Sequence, residues 1–251
     1  MKRTAFLIYG VVSYVIALAV LAYAIGFVGN IGVPKSIDSA PSTAFVPALL
    51  INLGLLAVFA LQHSIMARPA FKKVWTRFVS PVIERSTYLN FTSAALILLV
   101  VYWQPMGGVV WHIESPLGQA VCYALFGLGW VIMTIATFLI DHFDLFGLRQ
   151  VWLNFVGRPA DEPGFVTPSL YRWVRHPLYV GLLLGFWFTP TMTVAHLVFA
   201  VMCTAYILIA IQLEERDLKD ALPSYADYCK DVPMIIPRPP KRGTPTQEVQ
   251  A

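Results

Sequence analysis

The side chains that could carry chemistry concentrate at two places, around residues 141–179 and around residues 214–237. They are acids, histidines, arginines and tyrosines, namely Asp141, His142, Asp144, Arg149, Arg158, Tyr171, Arg172, Arg175, His176, Tyr179, Glu214, Glu215, Arg216 and Tyr225. Residues 178–213, a run without Asp, Glu, Lys or Arg, lie between the two places. If this run folds as a helical hairpin, both of its ends return to the same side and the polar groups become neighbours. The alternative interpretation is a solvated rim.

The start of that apolar run has the sequence of an anion-binding helix terminus. Pro177 suits the first turn of a helix, where a missing amide donor has no cost. Arg175 and His176 come just before it, so they would lie beside free backbone amides that attract anions. Tyr179 falls in the first turn. Gly181 and Gly185 are spaced for close packing against another helix, which is the interpretation we favour for Gly185.

At the other end of the run, Glu214 and Glu215 would lie near a helix C-terminus. Carboxylates at that end oppose the helix dipole, so their placement there is unfavourable without compensation. The pair therefore indicates a cationic partner, and a solvated helix end is the alternative.

Long apolar runs determine the expected fold of the chain, whose 251 residues are 57% hydrophobic and 13% charged. An ordinary soluble domain carries about 25% charged residues, so lipid is the expected surrounding for most of this chain. A membrane-spanning helix needs about 20 apolar residues. Uncharged runs at residues 5–28, 45–67, 87–103, 117–140 and 178–213 predict an all-α, polytopic membrane bundle of five to six helices. The last two would form a tight hairpin that turns at Pro190.

The distribution of basic residues predicts the orientation of this bundle. With six crossings, the loops on one side are residues 29–44, residues 104–116 and the turn at Pro190, and Lys35 is their one basic residue. The rest of the 18 basic residues fall on the N-terminus, on residues 68–85 and 141–177, and on the C-terminal tail. The positive-inside rule therefore places both termini and these loops in the cytoplasm. The basic loop 68–85 also predicts contact with membrane lipids.

The remaining composition excludes several classes of protein. A net charge of +4 on a membrane chain reflects topology and attraction to headgroups, so we expect no nucleic-acid partner. Cys122, Cys203 and Cys229 have no paired spacing, so we predict neither a disulfide nor a metal site. We predict one membrane domain over residues 1–251, with a disordered tail at 238–251. The sequence leaves the oligomeric state open.

Several motifs resemble a known superfamily of membrane enzymes. RHPLYVG at residues 175–181, EERDL at 214–218 and SYADYCKDVPMIIP at 224–237 follow the order and spacing of the isoprenylcysteine carboxyl methyltransferase superfamily. The runs at residues 61–88 and 140–152 are similar to those of the bacterial methanethiol S-methyltransferases, and related runs occur in NnrU-like membrane proteins. The resemblance covers nearly the whole chain.

The resemblance implies S-adenosyl-L-methionine as methyl donor, a small thiol (methanethiol) as acceptor, and a bacterial inner membrane with the active site facing the cytoplasm. It also implies that residues 141–237 are the donor-binding catalytic part of the domain. The expected donor-binding residues are Tyr171, Arg175, His176, Pro177, Tyr179, Gly181, Glu214 and Glu215. Arg175, His176 and the helix amides suit the donor's carboxylate, and the two glutamates suit its amino group and ribose hydroxyls. Tyr179 or Tyr171 suits the sulfonium through cation–π attraction.

Activation of the thiol needs further residues. A small thiol is mostly protonated at neutral pH, since the reference cysteine pKa is about 8.5. A base or nearby cations must favour the thiolate, and His142, Arg149 and His63 are the candidates, with Asp144 as an orienting carboxylate. His63 belongs to the second membrane helix, where a hydrogen-bonded structural histidine is the alternative. Proximity and desolvation without a base would also suffice.

Two other functions fit the same sequence. A larger membrane-borne acceptor, either a prenylcysteine carboxylate or a phospholipid amine, would use the same donor chemistry. An NnrU-like haem or redox protein would need two axial ligands such as His63 and His142.

Overall fold

The structure is a computed structural model that describes residues 1–159, 165–166, 168–239 and 248–249. Its helices are, in chain order, α1 (Lys2–Gly29), α2 (Phe45–Ala67), α3 (Pro69–Trp75), α4 (Pro81–Tyr102), α5 (Pro116–Ile140), α6 (His142–Leu145), α7 (Leu148–Val156), α8 (Pro177–Trp187), α9 (Val194–Ala221) and α10 (Pro223–Asp231). The strands are β1 (Val109–His112), β2 (Phe165–Val166), β3 (Thr191–Thr193) and β4 (Glu248–Val249). β1 pairs antiparallel with β3, and β2 pairs antiparallel with β4.

The described residues confirm an all-α, polytopic membrane protein. Within them, α1, α2, α5 and α9 are long and apolar enough to cross a membrane. Helix α8 is apolar but has 11 residues, short of a full crossing. Helix α4 has 22 residues, but Glu84, Arg85 and Asn90 make its first half polar. The total of five to six crossings and the cytoplasmic position of the termini stay predictions.

The chain turns between α8 and α9, around the predicted turn at Pro190. Helix α8 ends at Trp187 and α9 begins at Val194. Strand β3 occupies the turn and pairs with β1. The sequence predicts a loop, not a strand, at the residues of β1. A strand of four residues is too short for alternating hydrophobicity to distinguish it from a loop.

The chain forms two compact units. Unit 1 comprises Met1–Glu114, Phe143–Asp161 and Pro190–Phe199, and unit 2 comprises Ser115–His142, Glu162–Thr189 and Ala200–Ala251. The single membrane domain over residues 1–251 stays a prediction. Most of the tail at 238–251, predicted to be disordered, lies outside the described residues.

Small and polar residues join the helices of unit 1. A Cβ atom on Gly10 of α1 would lie 2.6 Å from the side chain of Val151 of α7, so only glycine permits this approach. Asn90 of α4 donates hydrogen bonds to Tyr9 Oη at 3.0 Å and Ser13 Oγ at 2.9 Å, both on α1. Such contacts hold membrane helices together because apolar burial supplies little driving force in lipid.

A buried polar cluster in unit 1 fastens the connection between α1 and α2 to the start of α9. Asp38 Oδ2 accepts a hydrogen bond from Asn30 Nδ2 at 2.6 Å and lies 3.0 Å from His196 Nδ1, and Asp38 Oδ1 accepts a hydrogen bond from Thr193 Oγ1. Burial by itself would raise the pKa of Asp38. The hydrogen bond and charge of His196, with the bonds from Thr193 and Asn30, instead hold that pKa below its ordinary value. The cluster therefore favours an ionised Asp38.

We expect Asp38 to make the free energy of unfolding depend on pH. Since its pKa is lower in the folded chain, its contribution is present above the unfolded value of 3.8 and is lost as pH falls through the folded value. Asp38→Asn should lower the free energy of unfolding at neutral pH by about 1–3 kcal/mol, the cost of a lost buried partner. It should also weaken the acid dependence, measured by denaturant unfolding in detergent at a series of pH values. The exposed Glu114→Gln is the control, and an unchanged acid dependence in Asp38→Asn would contradict the assignment.

The close approach of α5 and α8 holds unit 2 together. A Cβ atom on Gly129 of α5 would lie 2.5 Å from the carbonyl oxygen of Gly181, and a Cβ on Gly181 would lie 2.5 Å from that of Gly129. At Gly185 a Cβ would lie 3.0 Å from the ring of Trp130. The packing role predicted for Gly185 is confirmed, and Gly181 shares it.

Two glycines on α5 allow a matched test of this packing. Gly129→Ala should lower the free energy of unfolding by about 1–3 kcal/mol, because its methyl group collides with the backbone of α8. A Cβ on Gly127 would meet nothing within 4 Å, so Gly127→Ala should leave stability unchanged or raise it by up to about 1 kcal/mol through helix propensity. Thermal unfolding in one detergent measures both, and equal stabilities would refute the role of the contact.

Candidate active site

The two polar segments that the sequence predicts to be neighbours meet in unit 2. The backbone N–H of Arg175 donates to the carbonyl of Pro233 at 2.9 Å, and that of His176 donates to Met234 at 3.3 Å. The chain after α10 thus runs beside the residues that lead into α8. This pairing fixes the position of the α8 N-terminus, where Pro177 is the first residue and is fully buried.

The carboxylate of Glu215, 5% exposed, lies at the centre of this region. Its Oε1 accepts a hydrogen bond from Arg175 Nε at 2.7 Å and lies 3.0 Å from His176 Nε2. Its Oε2 lies 3.5 Å from Lys219 Nζ on the next turn of α9. Three basic groups therefore surround one buried acid, which is the compensation that a buried carboxylate requires.

The guanidinium of Arg175 makes further contacts inside the chain. Its Nη1 donates to the backbone carbonyls of Cys229 at 2.9 Å and Val232 at 2.7 Å. Together with Glu215, these bonds join the start of α8, the later part of α9 and the segment around α10. The prediction that Glu214 and Glu215 lie near a helix C-terminus is wrong, because α9 continues through the charged residues that follow them to Ala221. The role that the structure shows for Arg175 and Glu215 is to hold these elements, and their binding of the donor stays a prediction.

Glu214 is the more accessible of the two adjacent acids, with 44% of its side chain exposed. Its Oε2 accepts a hydrogen bond from Tyr179 Oη at 3.0 Å and lies 4.0 Å from His176 Nδ1. The rings of His176 and Tyr179 lie 5.5 Å apart. An exposed carboxylate beside two rings at a helix N-terminus can bind a cationic or hydroxyl group.

Tyr171 connects this region with the end of α5. Its hydroxyl donates to the carbonyl of Ala136 at 3.4 Å, and its own carbonyl accepts a hydrogen bond from Tyr228. Burial raises the pKa of Tyr171, and Glu214 and Tyr228 raise it further. The phenol therefore stays protonated at neutral pH, where it can donate a hydrogen bond or present an aromatic face but cannot act as a base.

His142 follows α5 in the same unit and is buried. Its Nδ1 lies 2.9 Å from Thr137 Oγ1, and its ring stacks on Phe138 with centroids 4.1 Å apart and an interplanar angle of 4°. Burial lowers the pKa of His142, although the charge of Asp141 acts in the opposite direction. A neutral, oriented imidazole of this kind can accept a proton.

The other predicted catalytic residues, Asp144, Arg149 and His63, belong to unit 1. Arg149 Nη1 lies 3.2 Å from Asp144 Oδ1, and Gln150 donates to the same oxygen at 3.1 Å. Asp144 therefore orients Arg149 directly. The part of these residues in catalysis stays a prediction.

His63 is a residue of α2 and packs against α4 in unit 1. The hydroxyl of Tyr88 lies 2.9 Å from His63 Nδ1 and 3.1 Å from Nε2, and the Phe59 ring stacks on the imidazole at 5.4 Å. These contacts are those of a hydrogen-bonded structural histidine, the alternative considered from the sequence. Its catalytic role stays a prediction too.

The chain is similar to curated proteins of one enzyme family. It is 53% identical over 238 residues to the methanethiol S-methyltransferase of Crocosphaera subtropica, which covers 94% of this chain and 93% of that protein. It is 51% identical over 240 residues to the methanethiol S-methyltransferase of Mycobacterium tuberculosis, with 95% and 98% covered. The chain belongs to the methanethiol S-methyltransferase family. No family model and no solved structure matches it.

Membership of the methanethiol S-methyltransferase family makes the chain a methyltransferase and confirms the resemblance found in its motifs. Nurim of Rattus norvegicus is 32% identical over 184 residues, covering 70% of each chain, so the relationship extends to a wider group of membrane proteins. Within the described residues, no group of His, Cys, Asp and Glu side chains could hold a metal ion.

The sequence did not identify Thr137 as a residue of this region, nor the internal partners of Arg175. The apolar run ends at Ile140, so the sequence alone places Thr137 in the last turn of a predicted helix. Its contact with His142 depends on how the chain leaves that helix, which no spacing rule describes.

Removal of Arg175 tests its structural role. Arg175→Ala should lower the free energy of unfolding by about 3–5 kcal/mol, because it breaks the buried ion pair with Glu215 and leaves His176 and the more distant Lys219 to compensate that charge. Lys230→Ala is the control, since Lys230 pairs with Asp227 at 2.7 Å but both side chains are exposed, and we expect no measurable change there. Denaturant unfolding without any ligand separates this role from donor binding, and wild-type stability in Arg175→Ala would disprove it.

Proposed function

We propose that this chain transfers a methyl group from S-adenosyl-L-methionine to methanethiol, forming dimethyl sulfide. We place the reaction at the cytoplasmic face of a bacterial inner membrane. The observation that carries the proposal is the 53% identity, over 94% of the chain, to a protein named methanethiol S-methyltransferase. The polar region at the start of α8 supports it, because its residues suit the donor's groups.

Different residues of unit 2 suit different chemical groups of the donor. The exposed carboxylate of Glu214 suits the donor's ammonium group or ribose hydroxyls. The backbone amides at the start of α8, beside His176, suit its carboxylate. The aromatic faces of Tyr179 and Tyr171 suit a sulfonium cation. When bound, the donor supplies an electrophilic methyl group.

The acceptor thiol must lose its proton before or during the transfer. His142 is a neutral, buried imidazole in the same unit as the donor-binding residues, so it is our first candidate for the proton acceptor. Arg149, oriented by Asp144, and His63 are the other candidates for favouring the thiolate. Methanethiol and dimethyl sulfide are small and apolar, so both can enter and leave through the surrounding lipid.

The proposal is tested with membranes that contain the protein, incubated with S-adenosyl-L-methionine and methanethiol. We expect dimethyl sulfide in the headspace, none without the donor, and none from membranes that lack the chain. Donor binding without dimethyl sulfide would overturn the choice of acceptor and favour a larger membrane-borne one. If the membranes do not bind S-adenosyl-L-methionine, the assignment of this molecule as the methyl donor is wrong.

The same assay tests Glu214. Glu214→Gln should raise the KM for the donor by about 10-fold or more, the effect of weakening a hydrogen bond to a charged group. Asp220→Asn removes an exposed acid from the same helix and should leave the KM unchanged. Equal KM values for the two variants would remove Glu214 from the donor site.

A further inference from the structure

Two hydrogen bonds converge on the hydroxyl of Thr137, in the last turn of α5. Its Oγ1 lies 2.7 Å from the carbonyl oxygen of Thr134 and 2.9 Å from His142 Nδ1. Both side chains of the second bond are buried, with Thr137 3% and His142 6% exposed. Neither sequence motifs nor the family name assign a role to Thr137.

The chemistry of the three groups fixes the direction of both bonds. A carbonyl oxygen can only accept, so the single hydroxyl hydrogen of Thr137 points to Thr134, as is common for threonine in helices. The oxygen of Thr137 then accepts from His142, which requires a hydrogen on Nδ1. A neutral imidazole carries one hydrogen, so Nε2 holds the lone pair.

We propose that Thr137 is a positioning residue for the reaction, selecting the tautomer of His142 in which Nε2 accepts the proton of the thiol substrate. This inference rests on the proposed function. The S–H bond breaks as the Nε2–H bond forms, and the thiol sulfur keeps the electron pair with which it attacks the methyl carbon. The methyl carbon's former bonding pair stays with the donor sulfur, and the imidazolium afterwards releases its proton to water.

The orientation of the ring is constrained as firmly as its tautomer. Phe138 covers one face of His142 in a parallel stack. Asp141, which connects α5 to His142, has φ of 146°, a region that residues other than glycine rarely adopt. Backbone strain of this kind persists where the surroundings demand it and is common at functional sites.

The same end of α5 contacts a residue of the donor region. Tyr171 donates to the carbonyl of Ala136, the residue before Thr137, and Glu214 acts electrostatically on Tyr171. His142 therefore lies in the part of unit 2 where the donor-binding residues are found. A general base must lie within hydrogen-bond reach of the proton that it removes. A small thiol bound beside His142 would meet this condition.

The tautomer can be measured without donor or acceptor. In ¹⁵N NMR of histidine-labelled protein in detergent, His142→Asn identifies the His142 signals by their loss while retaining an amide donor toward Thr137. We expect wild-type His142 to carry its hydrogen on Nδ1. Thr137→Val should shift hydrogen to Nε2, and Thr137→Ser should restore the wild-type pattern. A wild-type His142 with its hydrogen on Nε2 overturns the proposal.

Kinetics test whether the tautomer matters. Thr137→Val and His142→Asn should each lower kcat/KM for methanethiol by at least about 10-fold, given the 10²–10⁴-fold range of general-base catalysis. The KM for the donor should not change, and Thr137→Ser should recover most of the activity. The acid limb of the pH profile should disappear in His142→Asn.

Thr204→Val is the matched control, because Thr204 bonds to the carbonyl of Ala200 at 2.6 Å and accepts from Trp187 Nε1 at 2.9 Å elsewhere in unit 2. It should leave the His142 signals and kcat/KM unchanged. Wild-type kcat/KM in Thr137→Val, with the tautomer shifted, overturns the role in catalysis. If the wild type makes no dimethyl sulfide, the proposed function fails, while the NMR result still decides the tautomer.

Discussion

The buried ion pair between Arg175 and Glu215 is the interaction on which the rest of unit 2 depends. A buried carboxylate is costly unless charge and hydrogen bonds compensate it, and Arg175 and His176 supply both at 2.7 and 3.0 Å. Because Arg175 also binds the carbonyls of Cys229 and Val232, one guanidinium joins three parts of the chain. The N-terminus of α8 is thereby held in place before any ligand arrives.

This pair also gives two adjacent acids different surroundings. Glu215 is buried and bound by Arg175 and His176, whereas Glu214 keeps 44% of its side chain exposed and contacts Tyr179 and His176. Neighbouring residues on a helix point about 100° apart, so one acid can be buried while the next faces a ligand. A pair of glutamates in the sequence therefore need not be a pair of ligand contacts.

The parts of the structure that the sequence predicts are those set by the surrounding solvent. Uncharged runs predicted α1, α2, α5 and α9, and Pro177 predicted the start of α8. The pairing of β1 with β3 and the contacts of Arg175 and Thr137 were not predictable in this way. They depend on which polar groups come within about 3 Å after folding, and hydrophobicity carries no information about such partners. A short-range polar contact between distant residues has to be observed.

Helix α5 brings packing and chemistry into one rigid element. Gly129 lets its backbone approach α8 so closely that no side chain fits between them, and two turns later Thr137 orients His142. A helix pressed against its neighbour over backbone atoms cannot slide without collision, so the distance from the α8 N-terminus to His142 is fixed by the same contact. For methyl transfer to a small thiol, which offers few groups to bind, such fixed geometry favours the reaction by holding the reacting groups in position. The glycines of α5 and α8 thus help to fix the position of His142, the imidazole that we propose as the proton acceptor.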